Sequence, residues 1–78
     1  MKPLATEKAV MMMEKTNTIV FEVGRNERKH SLKMEIENLF DVQIERINTL
    51  IRNNKKYAYV KLKKNFLAID LATKLGMI

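Results

Sequence analysis

The chain has 78 residues, a formal net charge of +6 and a pI of about 9.8. This length predicts one small domain, and the basic balance favours a polyanionic partner such as nucleic acid. The sequence contains no cysteine, which excludes disulfides and thiolate metal sites. No apolar run reaches the length of a membrane span, and the start Met1-Lys2-Pro3 lacks the apolar stretch of a signal peptide, so we expect a cytosolic protein.

The residue types that catalysis requires are sparse. His30 is the only histidine and lies in a charged run, and the nine carboxylates are scattered along the chain. Gly24 and Gly76 are the only glycines, so there is no glycine-rich phosphate loop. We therefore expect a non-enzymatic protein that needs no cofactor and no metal.

The first half of the chain predicts a helix, a strand and a second helix. Thr6 is placed to cap a helix over Glu7–Lys15, and the β-branched and aromatic segment Thr18–Val23 predicts a strand. A second helix is expected over about Lys29–Phe40, with Asn26 as a candidate cap. Its apolar residues recur at helical spacing, at Leu32, Ile36, Leu39 and Phe40.

The segment 42–51 predicts a second strand. Its apolar alternation changes phase between Ile44 and Ile47, which predicts a β-bulge. Asn48 and Thr49 follow this change, so we expect polar groups to point outward there.

A third strand and a last helix are predicted after a short loop at residues 52–56. The strand, over residues 57–63, places Ala58, Val60 and Leu62 on the core face. Asn65 is the candidate cap of a helix over residues 66–75, whose inner stripe would be Phe66, Ile69 and Ala72 or Thr73. The order helix-strand-helix-strand-strand-helix predicts an α+β fold, with helices packed on an antiparallel sheet of about three to four strands.

The most basic part of the chain lies between Arg52 and Lys64. This tract carries six basic side chains, two tyrosines and no acid. Strand alternation places Tyr57, Tyr59 and Lys61 opposite the core face, where cations could neutralise phosphates and rings could stack on bases. Lysines that protect an edge strand from aggregation are the alternative interpretation.

Three functional hypotheses fit these features. The first is a structural RNA-binding module. The second is an RRM-type domain, because residues 55–62 partly match the RRM octamer, although Lys56 replaces its glycine and Leu62 its last aromatic residue. That family also opens with a strand, whereas this chain is predicted to open with a helix. The third is a protein-docking or small-ligand regulatory domain.

Six segments, in order, resemble the ribosomal protein L23 family, in the branch found in archaea and eukaryotes. The resemblance covers nearly the whole chain, and it rests on several short segments in register rather than on any one of them. These segments are Leu4-Ala-Thr-Glu-Lys-Ala9, Asn17-Thr-Ile-Val-Phe-Glu-Val23, Glu37-Asn-Leu-Phe-Asp-Val42, Ile47-Asn-Thr-Leu50, Lys55-Lys-Tyr-Ala-Tyr-Val60 and Ala68-Ile-Asp-Leu-Ala-Thr-Lys-Leu-Gly76.

The resemblance implies a structural protein of the large ribosomal subunit. Its partners would be large-subunit rRNA (domain III) at the rim of the polypeptide exit tunnel and neighbouring ribosomal proteins, without membrane insertion. Nascent-chain factors such as the signal recognition particle and chaperones would dock on it, near Glu7, Phe40 and Asp41. Charge, strand phase and the resemblance together predict the rRNA contacts Lys8, Lys33, Asn48, Thr49, Arg52, Lys55, Lys56, Tyr57, Tyr59, Lys61, Lys63 and Lys64.

Departures from the family pattern favour an archaeal-type protein. The bacterial type carries a long loop between its second and third strands, whereas the loop here is only about residues 52–56. The eukaryotic type carries a long basic N-terminal extension, which we expect this protein to lack. Gly24, Arg28 and His30 stand where family members often have aspartate, threonine and proline, so the start of the second helix should be less sharply defined.

Overall fold

The computed structural model describes residues 1–76, which form four strands and three helices. In chain order they are β1 (Lys2–Pro3), α1 (Glu7–Lys15), β2 (Thr18–Val23), α2 (Lys29–Phe40), β3 (Ile44–Arg52), β4 (Lys55–Leu62) and α3 (Ala68–Lys74). The strands form one antiparallel sheet in the order β1-β2-β4-β3, which confirms the predicted α+β fold.

The prediction that the chain opens with a helix is wrong, because β1 precedes α1. Lys2 pairs with Glu22 and Pro3 pairs with Phe21 at the edge of the sheet. Two residues are too short to show strand periodicity, and proline is tolerated only at such an edge. Since the chain does open with a strand, the opening element does not argue against an RRM. The order β-α-β-α-β-β-α does, since it differs from the β-α-β-β-α-β order of ferredoxin-like folds.

The core lies on one face of the sheet. Strand alternation places Ala58, Val60 and Leu62 there, all at most 1% exposed, as predicted. Leu32 and Ile36 of α2 belong to the same buried cluster, and so do Ala68, Leu71 and Ala72 of α3. Both helices therefore cover this core face and leave the opposite face of the sheet accessible.

The helix α1 packs beside β2 and begins as predicted. Thr6 Oγ1 accepts a hydrogen bond from Ala9 N at 3.2 Å, which satisfies one amide that has no partner within the helix. Met13 lies in the core, whereas Met12 is half-buried and lies next to Tyr59 on the other side of the sheet. The position of α1 thus links the core to the opposite face.

The helix α2 has the predicted bounds but not the predicted cap. Its N-cap is Arg28, whose side chain makes no capping hydrogen bond, and Asn26 lies too early to serve. Leu39 is 62% exposed although its spacing predicted burial. The helix ends at Asp41 in the left-handed conformation (φ +54°), a geometry that asparagine and aspartate tolerate better than most residues.

The predicted bulge is present in β3. Ile44 pairs with Leu62 and Arg46 pairs with Lys61, so Glu45 is the extra residue without a partner on β4. The bulge allows Ile44 and Ile47 to point into the core although they are three positions apart.

The last helix is shorter than predicted, and Asn65 does not cap it. The structure starts α3 at Ala68, with Leu67 at the N-cap. The buried stripe is Ala68, Leu71 and Ala72, while Phe66 and Ile69 are half-buried and Thr73 is exposed. The cap comes instead from Asn17, whose Oδ1 accepts a hydrogen bond from Ala68 N.

Candidate nucleic-acid interface

The face of the sheet opposite the core carries both tyrosines. We define the tyrosine face as the side chains that alternate outward on β3 and β4, namely Arg46, Asn48, Leu50, Tyr57, Tyr59 and Lys61. Register pairs Asn48 with Tyr59, Leu50 with Tyr57 and Arg46 with Lys61. Side chains directly opposite each other on one face are close neighbours, so the set forms a continuous surface.

The tip of the β3–β4 hairpin presents two cations. Arg52 and Lys55 pair with each other as the last residues before the turn, and both are exposed. The turn residues Asn53 and Asn54 have φ values of +53° and +63°. Two central residues with positive φ are what a tight type I′ turn requires, and asparagine tolerates this conformation. The positive φ predicted for the asparagines is therefore confirmed, but the loop is shorter than the predicted residues 52–56, because β3 extends to Arg52 and β4 begins at Lys55.

Lys61 is the one predicted cation of the tyrosine face that is already paired. Its Nζ lies 3.4 Å from Glu45 Oε2, with 39% and 48% of the two side chains exposed. The bulge at Glu45 produces this contact, since it places Glu45 beside the Arg46–Lys61 pair. Exposed ion pairs contribute about 0.2–1 kcal/mol, so Lys61 can exchange this partner for a phosphate.

Lys56 lies on the other side of the sheet from the tyrosines. It pairs with Val23 and Ile51 in the phase of the core face. Its Nζ donates a hydrogen bond to the backbone carbonyl of Glu27 in the β2–α2 loop. This lysine therefore fastens a loop and is separated from the tyrosine face by the sheet.

Asn48 and Thr49 point to opposite faces, as neighbours on a strand must. Asn48 is exposed on the tyrosine face, and within residues 1–76 its side chain makes no hydrogen bond. Thr49 is half-buried opposite Ala58 on the core side. Only one of the two residues can therefore share a ligand with the tyrosines.

The remaining predicted lysines lie in three places. Lys8 is exposed in the first turn of α1 and lines a small pocket together with Tyr59. Lys63 and Lys64 are exposed just after β4, at the opposite end of that strand from the hairpin tip. Lys33 is exposed on α2, which covers the core face, so it is not part of the tyrosine face.

The three candidate docking residues lie at helix ends. Glu7 is exposed in the first turn of α1, and Asp41 is exposed directly after α2. Phe40 is half-buried and packs against the core cluster. The ring of Phe40 therefore contributes to the packing of the core, and only its exposed part is available for contact with a partner.

Arg46 was missed at the sequence level. It is exposed on the tyrosine face next to Lys61, and it forms no ion pair with any other described residue. Its spacing of two from Asn48 was the available signal, because residues two apart on a strand share a face. The phase change at the bulge obscured that signal.

A basic, aromatic surface on the open face of a small antiparallel sheet is typical of an RNA-binding α+β protein. The model of the family described as Ribosomal protein L23 matches residues 1–67, which include β1 to β4, α1 and α2. The chain belongs to this family. It is therefore a structural, non-enzymatic protein of the large ribosomal subunit, with rRNA and ribosomal proteins as partners.

The match ends before Ala68, so α3 lies outside the matched region. Within residues 1–76, no helix has the length and apolar character needed to cross a membrane.

Proposed function

We propose that the chain binds large-subunit rRNA of domain III through the tyrosine face and the hairpin tip. The site would be the rim of the polypeptide exit tunnel on the cytoplasmic ribosome. The observation that carries the proposal is the Asn48–Tyr59 pair, which lies next to the Arg46–Lys61 pair on the face of the sheet that α2 and α3 leave free.

The cations of this surface would fix the position of the protein on the RNA. Arg52 and Lys55 extend the charge to one end of the hairpin, and Lys63 and Lys64 extend it to the other. Phosphate contacts of this kind set orientation, while contacts to bases and to irregular RNA shape select the site. Lys8 joins the same surface from α1. Lys33 would reach a separate RNA segment.

Tyr57, Thr49 and Lys56 have supporting roles in this proposal. Tyr57 adds a second ring to the surface beside Leu50. Thr49 and Lys56 lie on the core side, and Lys56 holds the β2–α2 loop through its hydrogen bond to Glu27 O.

The two-residue hairpin turn supports an archaeal-type protein. The family resemblance implies that bacterial members extend a long loop here, into the tunnel. A turn of Asn53 and Asn54 has no such reach, because a chain spans at most about 3.3–3.6 Å per residue. Another component would then line that part of the tunnel.

Binding to an isolated rRNA domain III fragment tests the proposal. The affinity should fall steeply as salt rises, because each neutralised phosphate releases counterions. The protein should also sediment with large subunits until the salt concentration is high. An affinity that does not change with salt, or tighter binding to short single strands than to the folded fragment, would contradict the proposal and favour the RRM-like alternative.

We also propose that nascent-chain factors, including the signal recognition particle and chaperones, dock near Glu7, Phe40 and Asp41. The support is the family resemblance, together with the exposure of both acids at helix ends. Ribosomes that carry Glu7→Lys or Asp41→Lys should recruit less of at least one factor in a pull-down, with Glu35→Lys as a control on α2. Unchanged recruitment of every factor by both variants would exclude this role.

A further inference from the structure

A pocket of about 260 Å³ opens between α1 and the tyrosine face. The sheet contributes five polar or aromatic residues, and α1 with its C-cap contributes two. They are Arg46, Asn48, Tyr59, Lys61 and Thr18 from the sheet, Met12 from α1 and the C-cap Thr16. None of the roles assigned above requires a concave site here. The volume and lining of the pocket suit a small ligand that has one flat face and polar groups at its rim.

The walls combine surfaces that suit a nucleobase. The ring of Tyr59 and the thioether of Met12 offer apolar, polarisable contact, and aromatic stacking accepts any base. Asn48 offers an amide that can donate and accept at the same time, which matches the donor and acceptor pattern on a base edge. Its amide is not engaged by other residues of the described chain.

Two threonines of the pocket lining make local hydrogen bonds. Thr16 Oγ1 donates to Met12 O at 2.9 Å, and Thr18 Oγ1 donates to Thr16 O at 3.0 Å. These hydrogen bonds fasten the end of α1 to the start of β2. The end of the helix that carries Met12 is thus tied to the strand next to the one that carries Tyr59.

The cations at the rim are unequal. Lys61 is paired with Glu45, whereas Arg46 forms no ion pair within residues 1–76. A guanidinium can bind a phosphate with two parallel hydrogen bonds. Arg46 is therefore better placed than Lys61 to bind a phosphate.

We propose that this pocket takes one unpaired nucleobase of the bound RNA. The base stacks on Tyr59, its edge bonds to Asn48, and its phosphate lies on Arg46. The inference rests on the proposed rRNA binding and adds to it the class of nucleotide that is recognised: one that is extruded from its helix or lies in a loop.

Titration of the isotope-labelled chain with AMP and with ribose 5-phosphate, followed by NMR, tests the proposal. Both probes carry the phosphate, but only AMP carries a base. AMP should bind about 5- to 140-fold more tightly, which is the range expected for one stacked base. It should also shift the amide signals of Asn48 and Tyr59. Equal affinity for the two probes would overturn the pocket as a base site.

Variants separate stacking from a loss of folding. Tyr59→Leu should remove the preference for AMP, whereas Tyr59→Phe should keep it because the ring remains. Tyr57→Leu is the matched control, since Tyr57 lies on the same face but does not line the pocket. An equal loss in Tyr57→Leu and Tyr59→Leu would contradict the inference.

The rRNA domain III fragment separates the inference from the proposed function. If the fragment binds tightly while AMP and ribose 5-phosphate remain equal, the pocket inference fails and the proposed function stands. If the fragment does not bind, the proposed function fails and the inference fails with it.

Discussion

Asn17 caps the helix that begins at Ala68, 51 residues later in the chain, through a hydrogen bond of 2.7 Å from Ala68 N to Asn17 Oδ1. The Nδ2 group of the same side chain donates to Phe66 O at 2.8 Å and to Leu62 O at 3.2 Å. One amide therefore joins the start of β2 to the end of β4 and to the first turn of α3. Its backbone φ of +52° is one that asparagine adopts more readily than most residues.

Replacing Asn17 should destabilise the fold more than any ordinary surface change. Asn17→Gly keeps a backbone that tolerates positive φ but removes the side-chain bonds. We expect a loss of about 2 kcal/mol or more in the free energy of unfolding, because a helix cap and further partly buried hydrogen bonds are lost together. Chemical denaturation followed by circular dichroism measures this loss.

Asn65 supplies the control for Asn17. It is exposed and does not cap α3, although the sequence suggested that it would. Asn65→Gly should change stability by about 0.5 kcal/mol or less, as is usual for surface sites. Equal effects of the two substitutions would show that the Asn17 bonds contribute nothing specific.

The stability of the protein should depend on which residue occupies the position of Asn54 in the hairpin turn. Asn54 has a φ of +63°, and Asn-Gly is the favoured pair for a two-residue turn with positive φ. Asn54→Gly should leave stability unchanged or raise it slightly. Asn54→Ala should lower it by about 1 kcal/mol, because a Cβ atom is unfavourable in the left-handed region. Thermal unfolding of the two variants side by side checks the order, and a more stable alanine variant would contradict the turn geometry.

Removal of the acid beside Lys61 should strengthen RNA binding. Glu45→Gln frees the ammonium group that lies 3.4 Å from Glu45 Oε2. The affinity for the rRNA domain III fragment should rise up to about fivefold, which corresponds to the energy of an exposed ion pair. The slope of log affinity against log salt should steepen by up to about 0.9, the value for one more phosphate contact.

Glu35→Gln changes the net charge by the same amount on α2, far from the tyrosine face. It should leave the affinity and the salt slope nearly unchanged. If both glutamine variants bind RNA equally well, the effect comes from overall charge and the Glu45–Lys61 pair does not control the site.

The hairpin tip should contribute phosphate contacts without affecting the fold. The double substitution of Arg52 and Lys55 to glutamine should weaken binding to the rRNA fragment and reduce the salt slope by about 2, one unit for each lost contact. The same change at Lys29 and Lys74, which are exposed on α2 and α3, is the matched control. A similar slope change in both double variants would indicate diffuse attraction rather than contact at the tip.

Much of the local structure followed from the sequence. The bounds of α1, β2 and α2, the Thr6 cap, the bulge in β3 and the asparagine turn were all predicted correctly. Each depends on side-chain periodicity or on the conformational preference of one residue, which neighbours in sequence reveal. The incorrect predictions concern features that depend on contacts between distant parts of the chain. Leu39 has helical spacing but extends past the edge of the core, and Asn65 is a good capping residue in a place where α3 does not begin.

Some residues of the candidate interface were likewise placed correctly from the sequence, and others were not. Strand alternation was sufficient to place Tyr57, Tyr59 and Lys61 on one face, and composition was sufficient to find the basic hairpin. The sequence was not sufficient to decide which of Asn48 and Thr49 lies on the tyrosine face or to place Arg46 beside Lys61. Those placements depend on the register of β3 against β4, which the bulge shifts by one residue. The contact of Lys56 with Glu27 depends on how the β2–α2 loop packs against β4.

The sequence by itself determined a small basic α+β domain, its core face and its resemblance to a ribosomal family. These features depend on composition and on periods of two or 3.6 residues along the chain. The tertiary structure alone decided the strand order, the Asn17 cap on Ala68 and the pocket between α1 and Tyr59. Each of these requires groups far apart in sequence to meet, and their meeting depends on how the whole chain packs rather than on any local preference.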